Sequence, residues 1–94
     1  MSLEFEWDEA KAQRNLLKHR VSFEEAVSVF VDPQALTLFD EPHSSDEDRF
    51  TTIGLSIQTR VLLVVHADRS QRVRIISARR ATARERRMYE EHQG

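Results

Sequence analysis

The sequence contains no cysteine, which excludes a disulfide framework, a catalytic thiolate and a cysteine-rich zinc site. It has only two glycines and two prolines, so most of the chain is predicted to form regular structure with short connections. No apolar run approaches the roughly 20 residues that a membrane-spanning helix needs. The acidic N-terminus also lacks the positive start and apolar core of a signal peptide. We therefore expect a cytoplasmic protein that does not bind membranes.

Motifs for several enzyme classes are missing as well. The sequence has no glycine-rich phosphate loop, no nucleophile elbow and no cluster of two carboxylates with a histidine. His43 falls in an acidic stretch and His92 near the end of the chain, and neither has a partner at metal-ligand spacing. The sequence therefore lacks the residues that nucleotide hydrolysis, acyl transfer and zinc chemistry require, and we expect no metal and no cofactor.

Arginine, in contrast, is concentrated in the C-terminal half. Eight of the nineteen residues from Arg69 to Arg87 are arginine, and none is lysine. Residues 1–48 carry four basic and twelve acidic side chains, whereas residues 49–94 carry ten basic and four acidic ones. Guanidinium matches phosphate oxygens with a planar fork of donors, and such charge asymmetry is typical of nucleic-acid contact. The alternative is a set of solvated arginines neutralised by the acidic half.

Capping signals predict three helices within one domain that spans residues 1–94. Asp8 is suited to cap a helix running to about Arg20. Ser22 and Glu25 form a capping box for a second helix, which ends at Asp32 because Pro33 disfavours the helical conformation before it. A second capping box, formed by residues 82 and 85, predicts a last helix through residue 89.

Between the second and third helices the apolar pattern changes to a period of two. It predicts strands over residues 35–39, 51–57, 61–66 and 72–78, and residues 4–8 are expected to form a short extended lead-in. The short connections favour an antiparallel meander of four strands. The predicted fold class is therefore α+β, with two N-terminal helices, the meander sheet and a C-terminal helix.

The strand over residues 72–78 carries the clearest candidate site. Alternation places Arg72, Arg74 and Ile76 on one face and Val73, Ile75 and Ser77 on the other. Arg79 and Arg80 follow at the strand end, next to a helix N-terminus that attracts anions. We interpret this segment as a phosphate cradle. Either its arginines reach water across an uncovered face, or they pair with acids from residues 40–48.

Metal-free RNA cleavage fits these parts, because the ribose 2′-hydroxyl is then the nucleophile. The enzyme needs one group to accept a proton, one to donate a proton, and cations that stabilise charge on the phosphate. His66, at the end of an apolar strand, is a candidate for proton transfer, but a structural role beside Leu62 and Val64 is the rival. His19 is placed to complement a helix C-terminus, or to face the site.

Motifs along nearly the whole chain resemble BrnT-type toxins. They include Phe5-Glu-Trp-Asp-Glu-Ala-Lys11, Asn15, Lys18-His19, Val21-Ser-Phe-Glu-Glu-Ala26, Phe30, Asp32-Pro33, Glu47-Asp-Arg49-Phe, Ile53-Gly54, Leu63-Val-Val-His66, Arg74-Ile-Ile-Ser-Ala-Arg79, Ala81-Thr82, Glu85-Arg86 and Tyr89. The resemblance implies a RelE-like ribonuclease toxin that cleaves RNA, inhibits translation and is neutralised by a BrnA-type antitoxin. It also implies that the antitoxin's ribbon-helix-helix part binds operator DNA. One departure is Arg20, where the family commonly has glycine, so arginine either strains the helix cap or shifts the helix end.

The resemblance and the residue chemistry together give two sets of candidate residues. The candidate catalytic residues are His66, Arg49, Arg74, Arg79 and Tyr89. The candidate RNA-binding residues are Lys11, Lys18, His19, Arg72 and Arg80.

Two further expectations concern these residues, and one alternative function stays open. Arg60, in the predicted turn between two strands, is expected to matter less for phosphate binding than Arg74 or Arg79. The antitoxin is expected to cover Arg74, Arg79 or Arg80. The alternative function is a non-catalytic module that binds nucleic acid or antitoxin in operon autoregulation.

Overall fold

Five strands and three α-helices form within residues 3–43 and 47–92, which a computed structural model describes. Their order along the chain is β1 (Glu4–Glu6), α1 (Glu9–His19), α2 (Phe23–Ser28), β2 (Leu36–Phe39), β3 (Arg49–Leu55), β4 (Val61–Arg69), β5 (Arg72–Arg80) and α3 (Ala83–His92). Short 3₁₀ turns at Val29–Val31 and Glu41–His43 follow α2 and β2. No helix in these two ranges is long and apolar enough to cross a membrane.

The helices begin where the capping residues predict. Asp8 accepts hydrogen bonds from the backbone N–H groups of Ala10 at 2.9 Å and Lys11 at 3.4 Å, which fixes the start of α1. The Ser22 hydroxyl accepts from the backbone N–H of Glu25 at 3.0 Å at the start of α2. The predicted α+β class is confirmed.

The sheet has five strands rather than the four predicted, in the order β1-β5-β4-β3-β2. β2, β3, β4 and β5 form the predicted antiparallel meander. The extended lead-in is itself a strand: β1 pairs with β5 in parallel, with Phe5 opposite Val73. The prediction of a purely antiparallel four-stranded sheet is therefore wrong. The missed pairing joins residues nearly 70 positions apart, and local patterns carry no signal for it.

The two faces of the sheet have different coverings. On one face, α1 and α2 bury the main core, which includes Phe23, Val29, Leu62, Val64 and Ile75. On the opposite face, α3 covers one end, where Tyr89 and Ala81 pack against side chains of β3 and β4. The other end of that face carries arginines from β3, β4 and β5. We call the whole face opposite α1 and α2 the arginine face.

A β-bulge in β5 changes which side chains reach each face. Val65 is opposite Ser77 and His66 is opposite Ile75, so Ile76 is the extra residue. The core side of β5 therefore shifts from Val73 and Ile75 to Ala78. The prediction that Ser77 shares a face with Val73 and Ile75 is wrong, because Ser77 follows the bulge and pairs with Val65 on the arginine face.

Arg60 is not the ordinary turn residue that the sequence suggests. Its guanidinium binds the carboxylate of Glu25, whose side chain is only 2% exposed, with the Nε–Oε2 distance at 3.0 Å. Ser56 donates a further hydrogen bond to Glu25 at 2.6 Å. Burial raises the pKa of Glu25, but the bonds from Arg60 and Ser56 outweigh burial and hold that pKa below its usual value. Arg60 thus ties the β3–β4 turn to α2 and is unsuitable as a neutral control.

Arg20 ends α1 in the left-handed conformation, with φ 60° and ψ 31°. Its backbone N–H bonds to the carbonyl of Leu16 at 2.9 Å, and its own carbonyl accepts from Arg60 at 3.1 Å. The helix end is therefore not shifted, and the first of the two expected effects of arginine, a strained cap, is the one observed.

Candidate nucleic-acid interface

Arg79 and Glu85 form an ion pair where α3 begins. Glu85 accepts from the backbone N–H of Thr82 at 2.9 Å, while Thr82 accepts from the backbone N–H of Glu85 at 3.1 Å, as the capping box predicts. Arg79 holds the same carboxylate in a bidentate contact at 2.8 and 3.0 Å. The pKa of Glu85 is lowered, chiefly by the bond from Arg79. Arg79 is thus positioned by the helix cap itself.

A second ion-pair cluster lies at the far end of the same face. Arg74 binds both oxygens of Glu47, and Arg69 contacts the same carboxylate at 3.2 Å. The hydrogen bonds from Arg74, and to a lesser extent from Arg69, lower the pKa of Glu47. Of the two alternatives that the sequence left open for Arg74, pairing with an acid from residues 40–48 is the one observed.

Arg49 belongs to the same cluster by register. Arg49 is opposite Ala67, and Ala67 is opposite Arg74, so the two arginines flank one small residue on the arginine face. The Nε of Arg74 is buried and has no hydrogen-bond partner among the described residues. Arg74 and Arg69 therefore hold one carboxylate with Arg49 beside Arg74, in an arrangement suited to an anion with several acceptor oxygens.

Arg72 and Arg80, the two remaining arginines proposed from the sequence, lie on opposite faces of the sheet. Arg72 lies at the exposed rim of the arginine face and contacts Glu6 at 3.1 Å and Glu4 at 3.6 Å. Arg80 is opposite Leu62, a core residue, and therefore lies on the side of the sheet that faces α1 and α2. Arg80 does not join Arg74 and Arg79 in one surface.

His66 lies in the core, 1% exposed, on the sheet face opposite the arginines. Its Nδ1 bonds to Asp68 at 2.6 Å and its Nε2 to the Thr52 hydroxyl at 2.7 Å. Phe30 packs edge-on against its ring at 4.9 Å between centroids. Burial lowers the pKa of His66, and Asp68 opposes this in part. These contacts favour the structural role that the sequence left open over proton transfer to a substrate.

Tyr89 is also part of the framework. It is 7% exposed, packs with Ile53 and Leu63, and donates its hydroxyl hydrogen bond to Asp32 at 2.6 Å. That bond fastens α3 to the turn that follows α2. The five candidate catalytic residues therefore do not form a single cluster: Arg49 and Arg74 are together, Arg79 and Tyr89 lie near α3, and His66 is behind the sheet.

Three of the five candidate RNA-binding residues line one open cavity of about 310 Å³ between α1 and β5. Its lining residues are Lys11, Arg14, Asn15, Lys18, His19, Ile76 and Ser77. Asn15 fixes this wall, because its side chain donates to the Ala78 carbonyl at 2.8 Å and accepts from the Ala78 N–H at 3.2 Å. It thereby satisfies the edge of β5 beyond the end of β1.

The sequence prediction did not identify the individual acids that hold the arginines, and it missed two cations, Arg69 and Arg14. Glu47 and Arg69 were not proposed as site residues, and no local pattern joins them to Arg74. Arg14 had a usable signal, since the spacing of residues 11, 14 and 18 places them on one helical face. In the described ranges, no three histidine or acidic side chains are grouped so that they could hold a metal ion.

Comparison with known proteins identifies a matching family and a similar solved structure. The family described as "Ribonuclease toxin, BrnT, of type II toxin-antitoxin system" matches residues 7–85, most of the chain. The crystal structure of the Brucella abortus ribonuclease toxin, BrnT, superimposes with a TM-score of 0.66 at 24% sequence identity. The match covers 86% of this chain and 99% of that one, and it shows a shared fold. No individually curated protein sequence matches.

Proposed function

The chain belongs to the BrnT family of ribonuclease toxins of type II toxin–antitoxin systems, and on that premise we propose that RNA binds on its arginine face. The observation that carries this is the single carboxylate, Glu47, held by Arg74 and Arg69 beside Arg49. Carboxylate and phosphate present similar oxygen acceptors to guanidinium. An RNA phosphate can therefore take the place of Glu47 on these arginines.

The proposed reaction is attack of the ribose 2′-hydroxyl on the adjacent phosphorus. The bond from phosphorus to the 5′ oxygen breaks, which leaves a 2′,3′-cyclic phosphate and a 5′-hydroxyl. Arg74 and Arg49 stabilise the negative charge that grows on the phosphate oxygens. Glu47, displaced but still adjacent, accepts the 2′-hydroxyl proton because a glutamate carboxylate is ionised near neutral pH, and solvent protonates the leaving oxygen.

Arg79 provides a second anion site on the same face. It lies five residues along β5 from Arg74, roughly 15 Å at the rise of a strand. Ser77 lies between them on that face. We propose that Arg79 binds a neighbouring phosphate of the same RNA strand, while His66 and Tyr89 hold the framework.

The test is cleavage of naked RNA by the purified protein in the presence of EDTA. Arg74→Ala should lower the rate by about 10²-fold or more, because it removes a donor that stabilises the developing charge. Arg79→Ala should weaken RNA binding. The matched control is Arg87→Ala on α3, an exposed arginine with no ion pair to any described residue, and it should stay within about twofold of wild type. If the Arg74, Arg79 and Arg87 variants behave alike, the arginine face is ordinary surface. If wild type needs an added metal ion, metal independence is wrong.

We further propose that this domain acts in the cytoplasm and that a BrnA-type antitoxin inhibits it by covering the arginine face. Such an antitoxin would connect the complex to operator DNA through a ribbon-helix-helix part. The positions of Arg74 and Arg79 on one face support this, whereas Arg80 points away and is no longer expected to be covered. Adding antitoxin to the cleavage reaction should stop it competitively with RNA. A complex that cuts RNA at the full rate would refute occlusion, and a chain that binds antitoxin but never cuts RNA would support the non-catalytic alternative.

A further inference from the structure

The cavity between α1 and β5 carries basic groups that the proposed reaction does not use. Lys11, Arg14 and Lys18 lie on one face of α1, and His19 follows at its end. Lys11 and Lys18 are the only lysines in the sequence, and both line this cavity. We call the cavity and its lining residues the α1 groove.

The cations of the α1 groove differ from those of the arginine face in whether they contact a carboxylate. Arg72, Arg74 and Arg79 each contact a carboxylate. Among the described residues, no carboxylate forms an ion pair with the side chain of Lys11, Arg14 or Lys18. The α1 groove therefore offers a polyanion a cluster of cations that no acid among the described residues already neutralises.

The α1 groove is continuous with the arginine face. Ser77 lines the groove and also lies on that face, opposite Val65 and between Arg74 and Arg79. β1 ends opposite Arg74, so no strand covers the edge of β5 at Ile76 and Ser77. A single strand that lies on the arginine face can thus pass over this edge into the groove.

We propose that the α1 groove binds the sugar–phosphate backbone of the RNA segment that flanks the cleaved bond. This proposal rests on the proposed function. Lys11 and Lys18 are seven residues apart, about 10 Å along the helix, which matches the axial rise of about three stacked nucleotides. The groove suits the phosphate backbone, since it offers cations and a hydroxyl, while the Asn15 amide is engaged by the backbone of Val21 and Ala78.

RNA fits the α1 groove better than an acidic segment of a protein partner. The groove wall contains one large apolar side chain, Ile76, and no aromatic residue. Protein interfaces rely on buried apolar and aromatic anchors, whereas contacts to a nucleic-acid backbone rely on cations. The lining therefore favours a chain of phosphates.

The test measures binding without cleavage. The probe is a 12-nucleotide RNA in which every 2′-hydroxyl is methylated, so that it lacks the attacking group, and affinity is measured between 50 and 200 mM salt. Lys11→Ala/Lys18→Ala should reduce the slope of log affinity against log salt by about 1.4, since each phosphate contact on a single strand contributes about 0.7. The matched control, Arg84→Ala/Arg87→Ala, removes the same charge from exposed positions of α3 and should keep the wild-type slope.

A second readout uses the wild-type protein. The chain has only two lysines, so an amine-acetylating reagent reports directly on the groove, and the methylated RNA should protect both lysines in mass spectra. Equal slopes for the two double variants, or no protection, would overturn the proposal. So would a Lys11→Ala/Lys18→Ala protein that keeps RNA affinity but loses antitoxin affinity. If wild type binds RNA through the groove yet cuts no unmodified RNA, the proposed function fails while the groove stands.

Discussion

The ion pair between Arg60 and Glu25 should contribute more to stability than any contact of the arginine face. Arg60→Ala removes the Nε contact at 3.0 Å and the second guanidinium contact, which leaves the buried Glu25 carboxylate with Ser56 as its remaining side-chain partner. Removing one partner of a buried pair costs about 3–5 kcal/mol, because the other charge stays buried. A domain of this size has only about 5–14 kcal/mol in total.

The assay is urea and thermal unfolding of matched variants. At about 4–8 °C per kcal/mol, Arg60→Ala should lower Tm by about 12 °C or more. Arg87→Ala, which removes an exposed arginine, should change stability by less than about 0.5 kcal/mol. Glu25→Gln/Arg60→Ala should recover part of the loss, since glutamine removes the uncompensated charge and can keep the Ser56 hydrogen bond. The argument is wrong if Arg60→Ala unfolds like Arg87→Ala, or if the double variant is no more stable than Arg60→Ala.

Two further predictions concern His66 and Arg20. Burial holds the pKa of His66 below its usual value of 6.5. Between these two pKa values the unfolded chain is protonated at His66 and the folded chain is not. The free energy of unfolding should therefore fall as pH drops from about 6.5 toward the folded pKa. His66→Gln should remove this part of the pH dependence, measured by urea unfolding between pH 5.5 and 7.5; identical slopes for the two proteins would contradict it. Arg20→Gly should raise stability by about 0.5–1 kcal/mol, because glycine adopts the left-handed cap without strain. Arg20→Ala should give no such gain in thermal melts, and a glycine variant that melts below wild type would refute the strain at this cap.

Features that depend on neighbouring residues were predictable from the sequence. Asp8, Ser22 and Thr82 cap helices that begin within a residue of the expected positions, because each cap is made by groups three or fewer residues apart. The meander was predictable for the same reason. The pairing of β1 with β5 and the bulge at Ile76 were not, since the first joins distant segments and the second is hidden within a run of apolar residues.

The candidate site was likewise only partly predictable from the sequence. Arginine density pointed to β5 as the candidate strand, and Arg74 and Arg79 do share a face. What sequence could not supply were the carboxylates that hold them, Glu47 and Glu85, because which acid meets which base is decided by tertiary packing. His66 illustrates the same limit: an apolar strand ending in histidine is compatible with a buried residue and with a surface one, and only its contacts with Asp68 and Thr52 distinguish the two.

The bulge in β5 has a consequence for how the family can change through insertion and deletion. Strict alternation would put Arg79 on the same side as Val73 and Ile75, against α1 and α2, and the extra residue Ile76 is what turns Arg79 toward Arg74. If β5 kept all its residues but lost the bulge, the two faces would be exchanged for everything that follows in the strand. This exchange would place the Arg79 side chain in the apolar core against α1 and α2 and the Ala78 side chain on the arginine face. A deletion of one residue at the bulge would instead leave strict alternation with Arg74 and Arg79 still on one face, so the two-arginine surface tolerates that deletion but not a loss of the bulge at unchanged length.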